Sequence, residues 1–301
     1  MIFLKRLTQN WKFLFIDFFS SYGFLWLLIE SVSYFLPDNI SNNFKNINLL
    51  GYLLLVSLLF SFIKNIPKSS FTRKIRDKDS SITVKLGDIF KGDGSIVVPV
   101  NDNFDVCHNG NVKKAKSILC KLINDYYSGK DDHLKNDISE KIDFDNVPYL
   151  SGTVAEIEQG EKKFFLLVNS KKNSNDRVSS GIDDFMNALN GLWGHLANET
   201  DRDEYVNIPL INTQHGRNSD ITREIVVKQI IDTFIDAMKY DMICENIVIY
   251  IHPNDLKKGN LDFEALCKYL DFKCKNYKDV KFDPKPEGEE IKVSSISQIV
   301  S

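Results

Sequence analysis

The chain lacks the compact signatures of metal and redox chemistry. Its five cysteines, Cys107, Cys120, Cys244, Cys267 and Cys274, form no CxxC pair and no regular framework. An odd count without a pairing pattern fits a reducing cytoplasm better than a secreted disulfide scaffold. The five histidines are scattered, with no HExxH and no Cys/His cluster, which argues against a zinc site. A net charge of −3 over 301 residues leaves no basic excess and argues against bulk nucleic-acid binding. No Ser-His-Asp or Cys-His arrangement is evident. The reading is therefore of a chain with no metal, no cofactor, no nucleic-acid partner and no catalytic residue.

What is present is unevenly distributed. Phe, Leu and Ile crowd the first 66 positions, and Asn, Asp and Lys dominate afterwards. Residues 13–36 and 47–66 are two mostly apolar stretches, each long enough to cross about 30 Å of hydrocarbon as a helix. The polar link between them, opened by Pro37, reads as the turn of a transmembrane hairpin. A cleaved signal peptide would have a shorter apolar core ending in small residues. Lys5, Arg6 and Lys12 precede the first span, and Lys64, Lys68, Arg73, Lys74, Arg76 and Lys78 stand at or beyond the end of the second. The connecting loop has only Lys45, with Asp38 in the same loop. Positive flanks stay inside, so the expected topology is a multi-pass inner-membrane protein with both termini cytoplasmic.

Two carboxylates interrupt the first span. Asp17 and Glu30 lie about 140° apart around a helix, so one channel can hardly hold both. Asp17, near the cytoplasmic end, reads as an interfacial carboxylate reaching headgroups. Glu30 shares a face with Gly23 and Ser33, and the sequence leaves open helix contact, a pore role or snorkelling. Ser57 and Ser61, one turn apart on the second span, offer a small-residue contact face.

Residues 67–81 read as a basic juxtamembrane linker, 82–278 as a globular domain and 279–301 as a loose Pro-, Glu- and Ser-rich tail. In the domain, residues 82–86, 95–100, 206–211 and 246–251 read as strands, and a hairpin covers about 149–169. Helical spacing marks residues 115–126, 182–196, 221–240 and 261–270, while 128–146 reads as an exposed insertion. Strands alternating with helices imply a three-layer α/β/α domain around a mixed sheet, with its ligand site at the carboxyl ends of strands.

Two polar loops meet that description. The first joins Gly87-Asp88-Ile89-Phe90 to the strand end at Asn101, Asp102 and Phe104. Asp88 can accept from an adenine amino group, Asn101 can bond a ribose hydroxyl, and Phe104 can stack on a base. The second is Asn212-Thr213-Gln214-His215-Gly216-Arg217, where backbone N–H groups ahead of a helix favour anions and Arg217 can pair with phosphate.

GDIFKGDGSIVVPVND, residues 87–102, resembles the opening of macro domains, in which a Gly-Asp-Ile turn precedes a strand ending in Asn. The resemblance implies adenine at Asp88, with Ile89 beside it, and the distal ribose at Asn101. IPLINTQHGR, residues 208–217, resembles the macro loop that wraps the diphosphate, and Gly152 and Thr153 stand near another lining segment. The Gly-rich loop that carries hydrolysis in macro enzymes is replaced by FDVCHNGNVKK. With two preceding spans, the chain is similar to the transmembrane–macro effectors of Thoeris anti-phage defence. That resemblance implies a small nucleotide signal made from NAD by a companion TIR-domain enzyme: an ADP-ribose derivative, for instance a histidine–ADP-ribose conjugate. Sensing would drive homo-oligomerisation, disruption of the lipid bilayer and abortive infection. Two alternatives stay open: a membrane-tethered ADP-ribosyl hydrolase, with His215 and Asp102 brought together by folding, and a non-catalytic anchored scaffold.

The cation bias carries a direct test of topology. A cysteine placed at Asn42, in the short loop, should react with an impermeant thiol reagent on intact cells. Labelling of the globular domain instead would invert the orientation.

Overall fold

The computed structural model describes residues 11–37, 47–66, 69–106, 117–175, 178–198, 205–211, 222–258 and 261–278. Helix α1 (Trp11–Tyr34) and helix α2 (Ile47–Lys64) are each long and apolar enough to cross a membrane. They pack together as a hairpin. No α1 residue is buried, and on α2 only Leu53, Ser57 and Ser61 are. The two serines thus form the seam, as their spacing predicts: the Ser61 hydroxyl donates to the Leu14 carbonyl at 2.6 Å.

Asp17, read as an interfacial carboxylate, has partners on the second helix near one end of the hairpin. It is ion-paired with Lys64 and accepts from the Asn65 amide at 2.8 Å, closing one end of the hairpin. Nothing lies within 4 Å of where a Cβ on Gly23 would be. Glu30 is exposed on the hairpin surface.

Among the described residues the domain has eight strands: β1 (Ser70–Lys74), β2 (Ser81–Leu86), β3 (Ser95–Asn101), β4 (Val154–Gln159), β5 (Lys162–Lys172), β6 (Val178–Ser179), β7 (Tyr205–Pro209) and β8 (Asn246–Ile251). Their order is β1-β2-β8-β7-β3-β5-β4, with β6 beside β5. Strands β2, β8, β7, β3 and β5 run parallel, and β1, β4 and β6 pair antiparallel at the margins. The helices are α3 (Ile118–Tyr126), α4 (Asp131–Ser139), α5 (Ile182–Asn198), α6 (Arg223–Ala237), α7 (Pro253–Lys258) and α8 (Phe263–Lys275).

Continuous apolar runs in β3, β5 and β8 serve both faces of the sheet at once, as buried parallel strands require. Val97, Phe165, Leu167, Ile247 and Ile249 point toward α5, α6 and α8. Their neighbours Ile96, Val98, Phe164, Leu166 and Val248 point toward α3 and α4. The expected three-layer α/β/α architecture with a mixed sheet is the observed one.

Two expectations fail for identifiable reasons. Residues 70–74, read as linker, form the edge strand β1, in register with β2 from Ser70↔Lys85 to Lys74↔Ser81. Its cations hid the strand: Arg73 is ion-paired with Asp271 and lies over the Phe71 ring, so charge there covers apolar surface. Residues 131–139, read as an exposed insertion, form α4, which buries Leu134 and Ile138 completely or nearly so. Two apolar side chains one turn apart suffice to dock a short helix, at about 1.5–3 kcal/mol each.

Strands β2 and β3 are consecutive in the chain yet lie apart in the sheet, with β8 and β7 between them. Residues 87–94 therefore cross over those two strands. A Cβ on Gly92 would stand 2.6 Å from the Tyr250 hydroxyl of β8 and 2.9 Å from Asn207 Oδ1 of β7. Gly94 has φ +80°, and a Cβ there would overlap the backbone at Tyr205. The Asn207 amide fastens the crossover by donating to the carbonyls of Asp93 at 2.6 Å and Ser95 at 3.0 Å. Gly94→Ala should lower the unfolding free energy by about 1–3 kcal/mol through combined backbone strain and overpacking. Chemical denaturation of the purified protein reads this out, and an unchanged midpoint would contradict the account of the crossover.

Candidate functional site

A cleft of about 610 Å³ opens at the carboxyl ends of β2, β8 and β7. The crossover supplies Gly87 to Phe90, α3 supplies Lys121, Asn124 and Asp125, and the far wall is Arg223, His252, Asn254 and Asp255. This is the place where parallel strands end and loops diverge, as open α/β sheets require of a ligand site.

Asp88 caps the short 3-10 turn Ile89–Lys91 by accepting from the Phe90 N–H at 3.2 Å. Its second oxygen is ion-paired with Lys121, whose ammonium also sits 4.8 Å from the centre of the Phe90 ring. Partial burial pushes the Asp88 carboxyl up, but the Lys121 ammonium and the Phe90 N–H outweigh it and hold the group below its usual range. Asp88 is thus an ionised acceptor at the cleft wall. Across the cleft, the Arg223 Nε donates to the buried Asp255 carboxylate at 3.1 Å. The Asn254 N–H donates to His252 Nδ1 at 3.2 Å, which fixes that ring at the end of β8.

Of the residues singled out from sequence, Asp88 and Ile89 line this cleft. Asn101, Asp102, Phe104, Gly152 and Thr153 do not. Asn101 uses both ends of its amide on Asp105: Oδ1 accepts the Asp105 N–H at 2.9 Å, and Nδ2 donates to its carboxylate at 3.0 Å. Asp102 accepts from the Lys172 N–H at 3.0 Å, tying β3 to β5. Phe104 is only 1% exposed and meets Tyr149 edge-on at 5.6 Å, so here it packs as a core ring and presents no open face to a base. Gly152, at φ +102°, lets its loop pack against Asn187 and Gly191 of α5, and its N–H donates to the Val168 carbonyl at 2.8 Å. Thr153 accepts the Val168 N–H at 2.9 Å and starts the β4–β5 pairing. Asn212, Thr213, Gln214, His215, Gly216 and Arg217 lie outside the described residues.

Sequence reasoning missed Lys121, Arg223, His252, Asn254 and Asp255. One signal was available for the first. The N-cap Ser117 and, on α3, Lys121, Asn124 and Asp125 recur at helical spacing, a polar stripe beside the buried Leu122 and Ile123. Arg223 opens α6, whereas His252, Asn254 and Asp255 follow the end of β8, and nothing in the sequence joins the first to the other three.

A family profile described as "Thoeris protein ThsA, Macro domain" matches residues 82–252. That is more than half of the 301 residues, and the chain belongs to this family. No curated protein sequence matches the chain. Among solved structures, two point mutants of the Oceanobacillus iheyensis macrodomain are similar at 15% identity. They cover 68% of this chain and 94% and 100% of theirs, with TM-scores of 0.46 and 0.47. The same macrodomain with ADP is similar at 14% identity over 69% of this chain and 97% of that one, with a TM-score of 0.38.

Proposed function

We propose that the cleft senses an ADP-ribose-type nucleotide and that the apolar hairpin is the membrane-embedded effector it controls. The observation that carries the reading is Asp88: an ionised acceptor on the Gly-Asp-Ile turn, set where parallel strands end, on a chain of the Thoeris ThsA macro-domain family. An adenine amino group is the complementary donor. Among the described residues of the cleft, Arg223 and Lys121 are the cations for a diphosphate. The protein acts as a sensor without turnover, and its signal is an ADP-ribose derivative made from NAD by a companion TIR-domain enzyme. Support for a non-catalytic role comes from the sequence FDVCHNGNVKK, which stands in place of the Gly-rich loop that carries hydrolysis in macro enzymes.

The hairpin sits in the inner membrane, with its apolar outer faces toward lipid and its serines inside. A ligand shifts such an effector only by binding one state more tightly than the other. Moving a population from 1:99 to 99:1 takes about 5.5 kcal/mol of differential binding. One cleft is a small source for that, whereas several clefts acting together in a homo-oligomer are adequate. Assembly and membrane disruption are therefore the proposed response, ending in death of the infected cell.

Calorimetry of the full-length protein in nanodiscs tests the ligand assignment. ADP-ribose should bind the wild type, and Asp88→Ala should weaken it by about 1–3 kcal/mol, the expected loss when a hydrogen-bond partner is deleted from a desolvated group. Equal affinity in both, with folding intact, would remove the nucleotide from this cleft.

A further inference from the structure

The Lys121 ammonium makes two contacts at once: it is ion-paired with Asp88, and it lies 4.8 Å from the centre of the Phe90 ring. An amino-bearing aromatic base would make the same pair, donating an N–H to the carboxylate and laying its π face on Phe90. Asp88 has already committed its other oxygen to the Phe90 N–H. Lysine and base thus compete for one acceptor and one ring.

We infer that Lys121 is an internal placeholder for the base, and that its displacement makes the site selective for nucleotides bringing negative charge along with the base. The inference rests on the nucleotide reading of the cleft. When a base takes Asp88, the ammonium loses its counterion inside the cleft. Asp255 is not free to replace it, being bonded to Arg223. A ligand diphosphate is the compensating anion, and it arrives on the same molecule as the base. A neutral nucleoside carries the base without the anion and leaves the ammonium uncompensated. Lys121 is thereby a specificity residue that reads the phosphates through the adenine pocket. Asp125, one helical turn along α3, is the competing resting place for the displaced ammonium.

The test uses adenosine and ADP-ribose as probes on full-length protein in nanodiscs, with wild type, Lys121→Met and Lys121→Arg. In Lys121→Met, adenosine should tighten about three-fold, since a half-exposed ion pair no longer opposes it. ADP-ribose should weaken about ten-fold through loss of a charge-assisted contact. The preference for ADP-ribose over adenosine would then fall about thirty-fold, the product of those two factors. Lys121→Arg, which keeps the charge, should retain the wild-type preference. If Lys121→Met tightens both ligands equally, the ammonium moves to Asp125 and the selectivity role is overturned. An unchanged ratio with unchanged affinities overturns the placeholder as well. Both outcomes leave the nucleotide reading intact, whereas binding of neither probe to any form would remove that reading and this inference together.

Discussion

The cleft depends on one constraint, the passage of residues 87–94 flat across β8 and β7. Consecutive strands β2 and β3 are separated in the sheet by those two strands, so the connecting chain must lie against their backbone and side chains. Gly92 fits beneath the Tyr250 hydroxyl, Gly94 adopts φ +80° beside Tyr205, and Asn207 bonds two carbonyls of the passing chain. The Lys162 ammonium adds a bond to the Gly92 carbonyl at 2.7 Å. These contacts hold Asp88 where β2 ends, with its carboxylate facing α3. A larger residue at either glycine would lift the turn and move the acceptor.

The same strand also links the domain to the hairpin. Helix α2 ends at Lys64, β1 begins at Ser70, and β1 pairs along its whole length with β2, the strand that delivers Asp88. Very little chain therefore separates the apolar segment from the strand that carries the proposed sensing residue. A change of packing at the cleft has a short covalent and hydrogen-bonded route to α2. Asp17, Lys64, Asn65 and Ser61 lock the hairpin at the end that joins this strand.

Much of the fold was legible in the order of residues. The buried parallel strands announced themselves as apolar runs, and β8 coincides with the run at residues 246–251. Helix α5 followed the spacing from Ile182 to Leu196. Local pattern failed where charge or polarity concealed burial: β1 behind its cations, and α4 behind seven polar positions around Leu134 and Ile138. The site was legible only in part. Asp88 stands on a contiguous motif and was found. The Asn101 amide is bonded to Asp105, four residues on, a matter of loop conformation that spacing does not reveal. Phe104 looked available for stacking beside a polar strand end, yet a positive φ of 50° accompanies its place in the core against Tyr149. Arg223 meets His252 and Asp255 only when β7 and β8 are placed side by side.

The central claim is that nucleotide in the cleft controls the membrane segment, and leakage from sealed vesicles tests it most directly. Full-length protein reconstituted in dye-loaded vesicles should release dye when ADP-ribose or its cognate derivative is added, with a steep dependence on ligand concentration. Asp88→Ala protein should need far more ligand for the same release, while inserting to the same extent. Equal leakage with and without ligand, in both proteins, would mean that the domain does not gate the helices and that an anchored scaffold is the better description.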